Sequence, residues 1–271
     1  MLRLSAGLPV RAQESPVPLA MGQTFTLASA ALAETRRINV YLPPAYADSS
    51  AAARLPVLYM PDGGLGEDFM HVAGLVQVLT GNGTIRPFIL VGIENTQRRR
   101  DLTGPTTDPE DRKIAPQVGG SAAYRTFIRT ELMPLIRRRY RTSAETALVG
   151  ESLAGLFVVE TLLLEPTLFD TYVAVDPSVW WNKGQLVAQA DEVLRTYTGP
   201  AKTLYVGSSR DNEKIPESRR LAAVLQAAPK GRLAWYYEPM PAETHATIYH
   251  PAALQAFRTV FKPKAALPTG K

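Results

Sequence analysis

The chain has 271 residues, 45% of them apolar, and 30 Lys+Arg against 25 Asp+Glu give a net charge of +5; that is enough for one large core or two small ones. There is no cysteine, which excludes disulfides, thiolate metal sites and a cysteine nucleophile. No apolar run approaches the roughly 18 residues of a membrane span. The basic residues fall in small clusters, Arg98 to Arg100 and Arg137 to Arg139, not in the aromatic-interleaved stripe that nucleic acid calls for.

The opening MLRLSAGLPVRAQES has too short an apolar part for a whole signal peptide, whose core needs roughly 7 to 15 such residues. Read as the remnant of one, with Ala12-Gln13 near a cleavage point, it favours a periplasmic over a cytoplasmic location. Residues 1–21 are then an arm or leader, 22–263 a single domain and 264–271 a tail. Thr24 to Ala28 and Arg36 to Leu42 alternate apolar and polar residues and end at Pro43-Pro44, as an antiparallel pair would. Six short, mostly continuous apolar runs follow: PVLYM to Met60, FILVGI to Ile93, TALV to Val149, YVAV to Val175, TLYV to Val206 and RLAWYY to Tyr237. Strands buried on both faces read this way.

Helical patterns lie between them at Asp68 to Leu79, Ala122 to Arg139, Leu153 to Leu164, Gln185 to Tyr197, Glu217 to Ala227 and Pro251 to Phe261. The alternation predicts a mostly parallel sheet with helices on its faces. Ligands in such sheets sit beyond the carboxyl ends of the strands. Two long segments, Glu94 to Gly120 and Asp176 to Lys183, follow strand ends and are read as loops overhanging that rim.

The stretch VGESLAGLF, Val149 to Phe157, joins a strand to a helix, the setting of a nucleophile elbow. A sharp turn there lifts the Ser152 hydroxyl above the sheet and tolerates only small neighbours, here Gly150 and Ala154. The competing assignment is a helix cap. A serine nucleophile needs a base and the base needs an orienting group. Of the three histidines, His71 sits in a helical pattern and His250 at the start of the last helix. His245 lies in a polar loop on the rim and is the favoured base. For the acid, Asp211 and Glu213 in GSSRDNEK are ranked first and nearly equal, with Asp176 in reserve; the alternative is that both only pair with Arg210 or Lys214. Chain order serine, acid, histidine is that of α/β-hydrolases. Backbone donors for an oxyanion are expected from Leu153 and from the glycine loop after PVLYM, at Gly64 and Leu65. Trp180 and Trp181 are candidates to meet an aromatic or acyl group. Arg98, Arg100 and Asp101 are read as pairing to fix their own loop.

These residues resemble the esterase D-like, enterochelin esterase-like branch of the α/β-hydrolase superfamily, which includes siderophore esterases, feruloyl esterases and mycolyltransferases. The matching pieces are RRINVYLPPAY, PVLYMPDGG, ILVGIENTQRRRDLTGP, TALVGESLAGLF, FDTYVAVDPSVWW and ETHATIYHPAAL, from about Glu34 to Phe261. The resemblance implies an α/β-hydrolase fold and hydrolysis of a small-molecule carboxylic ester through an acyl-enzyme, with no metal or organic cofactor. It implies Ser152 as nucleophile, His245 as base and an oxyanion hole from Leu153 with the Gly63 to Leu65 loop. The segment SSRDNE matches no single form of the family's acid, and the resemblance to siderophore esterases leaves open a Ser-His dyad with no acid. Acyl transfer would use the same residues, and a binding protein on a hydrolase scaffold is the reading from another class.

Overall fold

A computed structural model of the chain describes residues 19–47, 53–228 and 231–263. The proposed cleavage point at Ala12-Gln13, most of the arm and the tail from 264 lie outside the described residues. Eight strands form one sheet: β1 Gln23–Ser29, β2 Glu34–Tyr41, β3 Leu55–Met60, β4 Ile89–Ile93, β5 Thr142–Glu151, β6 Thr171–Val175, β7 Lys202–Ser209 and β8 Leu233–Met240. Their spatial order is β1-β2-β4-β3-β5-β6-β7-β8. β1 and β2 pair antiparallel, β2 meets β4 antiparallel, and every other pairing is parallel. The fold is therefore mixed α/β with a mostly parallel sheet and an antiparallel N-terminal pair.

The helices are α1 Pro44–Ala47, α2 Phe69–Gly81, α3 Arg98–Asp101, α4 Pro109–Lys113, α5 Ser121–Phe127, α6 Met133–Arg139, α7 Leu153–Leu164, α8 Trp181–Thr196, α9 Pro216–Ala227 and α10 Tyr249–Val260. Because side chains alternate along a strand, Leu148 enters one core with α5 to α9. Its neighbours Ala147 and Val149 enter the other, with α2 and α10. The strands read as continuous apolar runs because both faces are covered, and α7 is buried from Leu153 to Leu163.

Three segments depart from the sequence expectation. The pattern Ala122 to Arg139 is interrupted by a π turn over Ile128–Leu132, with the Met133 amide donating to Ile128 O. Pro134 has no N–H to give the ladder, and a wider turn just before it absorbs the gap. The segment Glu94 to Gly120 is not structureless but holds α3 and α4. Its root is a buried ion network in which Arg36, 0% exposed, pairs with Asp101 and Glu34, and Arg100 pairs with both of them. Arg98 instead places two hydrogen bonds on Asp62, at 2.7 and 2.8 Å. Third, α8 opens with Asn182, Lys183 and Gly184 all left-handed, at φ 49, 54 and 69. Among the described residues no helix is long and apolar enough to cross a membrane.

Candidate active site

The carboxyl ends of the central strands are level: Glu151 is registered with Val175 and Val175 with Gly207. The next residues along β5 and β6, Ser152 and Asp176, are thereby neighbours on the rim. Ser152 has φ 60 and ψ −117, outside the comfortable range of an L-residue. Its amide donates to Val175 O at 3.0 Å, and the Ser178 amide donates to Ser152 O at 3.0 Å. These bonds over-determine the strained turn. A Cβ on Gly150 would lie 2.6 Å from both the carbonyl carbon and the methyl of Ala154, so glycine is obligatory there. Ala154 itself is fully buried with its methyl accommodated.

The Ser152 side chain makes no cap bond to α7, which removes the helix-cap alternative. Its Oγ lies 3.1 Å from His245 Nε2 and 3.4 Å from Ser178 Oγ. His245 Nδ1 lies 2.8 Å from Asp176 Oδ2. Asp176 is 1% exposed and also accepts from the Ser209 amide and the Ser209 hydroxyl, each at 2.6 Å. A carboxylate with three donors is fixed in place and, facing Nδ1, it fixes the imidazole with Nε2 toward the serine. The hydrogen bond to Asp176, reinforced by the charges of Glu151 and Asp211, holds His245 above its ordinary pKa despite burial.

The residues ranked first as the acid do not meet the imidazole ring, although Asp211 lines the same cavity. Asp211 accepts from the His245 backbone amide at 3.2 Å and from Lys214 Nζ at 3.1 Å, not from the ring. Glu213 takes the Tyr237 hydroxyl. The reason is strand length: β7 runs two residues past Gly207, so the loop after it projects beyond the imidazole. Asp176 comes directly after β6. Ser178 and Ser209 were not singled out from the sequence; only their positions just past Asp176 and at the end of β7 hint at them.

Leu153 stands at the first position of α7, where N–H groups have no partner within the helix. On the facing loop the Gly63 amide donates to Ile93 O, and the Gly64 amide donates to Glu67 Oε2 at 2.7 Å. Leu65 is 62% exposed. The two tryptophans separate: Trp181 is buried with Nε1 donating to Gly104 O at 2.9 Å. Trp180 is partly exposed and lines a cavity of about 320 Å³ together with Ser152, Asp176, Ser178, Ile215 and His245. A larger cleft of about 570 Å³, between Arg100, Arg112 and Val118, holds none of these groups. His71 Nε2 and His250 Nδ1 lie 3.0 Å apart, paired with each other between α2 and α10.

The family model described as Putative esterase matches residues 29–259. The ferri-bacillibactin esterase BesA of Bacillus subtilis is 33% identical over 159 residues, 52% of this chain and 54% of that protein. The siderophore triacetylfusarinine C esterase of Aspergillus fumigatus is 29% identical over 194 residues, 67% of this chain and 64% of the other. The match thus spans between half and two thirds of the length of these two curated relatives. Among solved structures, an IroE-like serine hydrolase from Shewanella oneidensis superposes with a TM-score of 0.77 at 29% identity, covering 89% of this chain and 80% of that one.

Proposed function

The chain belongs to the Putative esterase family of α/β-hydrolases, and on that premise we propose that it is a serine carboxylic-ester hydrolase working through an acyl-enzyme. The observation that carries this reading is the unbroken chain Ser152 Oγ, His245 Nε2, His245 Nδ1, Asp176 Oδ2, at 3.1 and 2.8 Å. His245 takes the serine proton as Oγ adds to the ester carbonyl, then gives it to the departing alcohol. Water repeats the sequence in reverse to free the acid. Asp176 keeps the ring oriented and stabilises it while it carries the extra proton.

The carbonyl oxygen turns anionic as serine adds, and preset amides answer that charge. The Leu153 amide, at the positive end of α7, is one. The second comes from the loop of Gly64 and Leu65, where the Gly64 amide donates to Glu67 Oε2 at 2.7 Å and the Leu65 amide is the donor this reading assigns. Trp180 and Ile215 give the acyl group an apolar wall. The relatives named as siderophore esterases support a siderophore ester as the substrate class.

The test is steady-state hydrolysis of p-nitrophenyl acetate, p-nitrophenyl butyrate and ester-linked ferric siderophores by the wild type and Ser152→Ala. Loss of the serine should lower kcat by at least about 10³-fold on every ester that is turned over. Equal rates in the two proteins, or no turnover of any ester, would overturn the reading.

A further inference from the structure

One more ionisable group reaches the imidazole. Glu151, the last residue of β5, sets Oε1 3.5 Å from His245 Nε2. This is the ring nitrogen that also faces Ser152 Oγ, whereas Asp176 holds the opposite one. The Glu151 side chain is only 17% exposed. The charged groups around it are His245 from the loop after β8, Arg98 from α3, Asp176 from the end of β6 and Asp68 ahead of α2. Arg98 is the one cation besides His245 in that set, and its fork is committed to Asp62 by two hydrogen bonds. Among the described residues, His245 is the only group in ion-pair contact with Glu151.

Resting on the Ser152–His245 reading above, we propose that Glu151 is a positioning residue for His245, a second carboxyl placed across the ring from Asp176 that sets the pH at which the base becomes available. A carboxylate beside Nε2 favours the protonated ring, so the base comes free at a higher pH than Asp176 and Asp211, the other carboxylates facing His245, would require without it. The same carboxylate stabilises the imidazolium that forms during serine attack. Its two effects therefore oppose each other, one holding activity down on the acid side and the other raising the plateau. Burial pushes the Glu151 carboxyl up to about 7, while the carboxylates around the imidazole, Asp176 foremost, raise His245, so the protonation of each group depends on that of the other.

The experiment follows kcat and kcat/KM on p-nitrophenyl acetate from pH 5 to 9 for the wild type, Glu151→Gln, Glu151→Asp and Ser152→Ala. The His245 ring is titrated by NMR in the first three. Glu151→Gln should move the acid limb of kcat/KM and the NMR midpoint down together by about 0.5 to 1 pH unit. Plateau kcat should fall by up to about tenfold, the same interaction seen from the charged ring. Glu151→Asp, which keeps the charge at a greater distance, should fall between the two. Unmoved midpoints in Glu151→Gln by both methods would overturn the inference. Turnover surviving in Ser152→Ala would instead overturn the esterase reading, and the NMR titration would still report on the carboxyl and the imidazole.

Discussion

Asp176 and Asp211 both hold His245, but by different parts: the first by the ring, the second by the backbone amide. Removing the charge at each therefore has separate consequences. Asp176→Asn should lower kcat/KM on p-nitrophenyl acetate by about 10³ to 10⁴-fold, because an amide can present the wrong hydrogen-bonding edge to Nδ1 and cannot neutralise the charged ring. Asp211→Asn keeps an acceptor for the His245 amide and removes only a charge paired with Lys214, so it should cost less than about tenfold; a larger loss there than at Asp176 would contradict the geometry. Composition and spacing made Ser152 and His245 legible, since an elbow and a rim loop are local signals. The carboxylate was not legible in the same way. Which acid faces a histidine depends on how far each strand runs before it ends, and β7 outlasting β6 at the rim is a property of pairing across the sheet, not of the residues in SSRDNE.

Among the elements, β3 to β8 were readable as short apolar runs closed by turn residues, β1 and β2 by their alternation of apolar and polar residues, and α7 because it continues from the elbow without a break. The start of α8 was not. Three successive left-handed residues carry no periodic signature, and two of them, Asn182 and Lys183, are not glycine. The turn is held by side-chain bonds: the Asn182 amide donates to Asp111 Oδ2 at 2.8 Å, and Asn182 Oδ1 accepts from the Thr107 amide at 3.0 Å. Lys183 contributes none of these and is exposed. A left-handed L-residue costs roughly 1 to 2 kcal/mol, of which glycine's own backbone entropy returns about half. Lys183→Gly should therefore raise stability by about 0.5 to 1 kcal/mol in urea unfolding with the m-value unchanged. A decrease would mean that the Lys183 stem packs against the turn.

At the scale of the molecule, the class of sheet was legible from alternation of strand and helix, whereas the crossing that seats β4 outside β3 was not, because short apolar runs do not say which neighbour they choose. The two cores divide the work: one carries α7 and the elbow, the other is closed by α10 through Ala252, Ala256 and Phe257, and by Phe261 just past its end. Phe257 is fully buried against this face, and Phe257→Ala should cost about 3 to 5 kcal/mol of stability, read as a lowered urea midpoint. A loss under about 1 kcal/mol would show that α10 contributes little to that core. His245 lies in the loop between β8 and α10, 93 residues after Ser152. During synthesis, Ser152 and Asp176 therefore leave the ribosome well ahead of the histidine they meet. Until β8 has joined the sheet and α10 has sealed it, Ser152 lacks its contact with the His245 ring, so on the esterase reading proposed above the site can be acylated only once the C-terminal part of the sheet is completed.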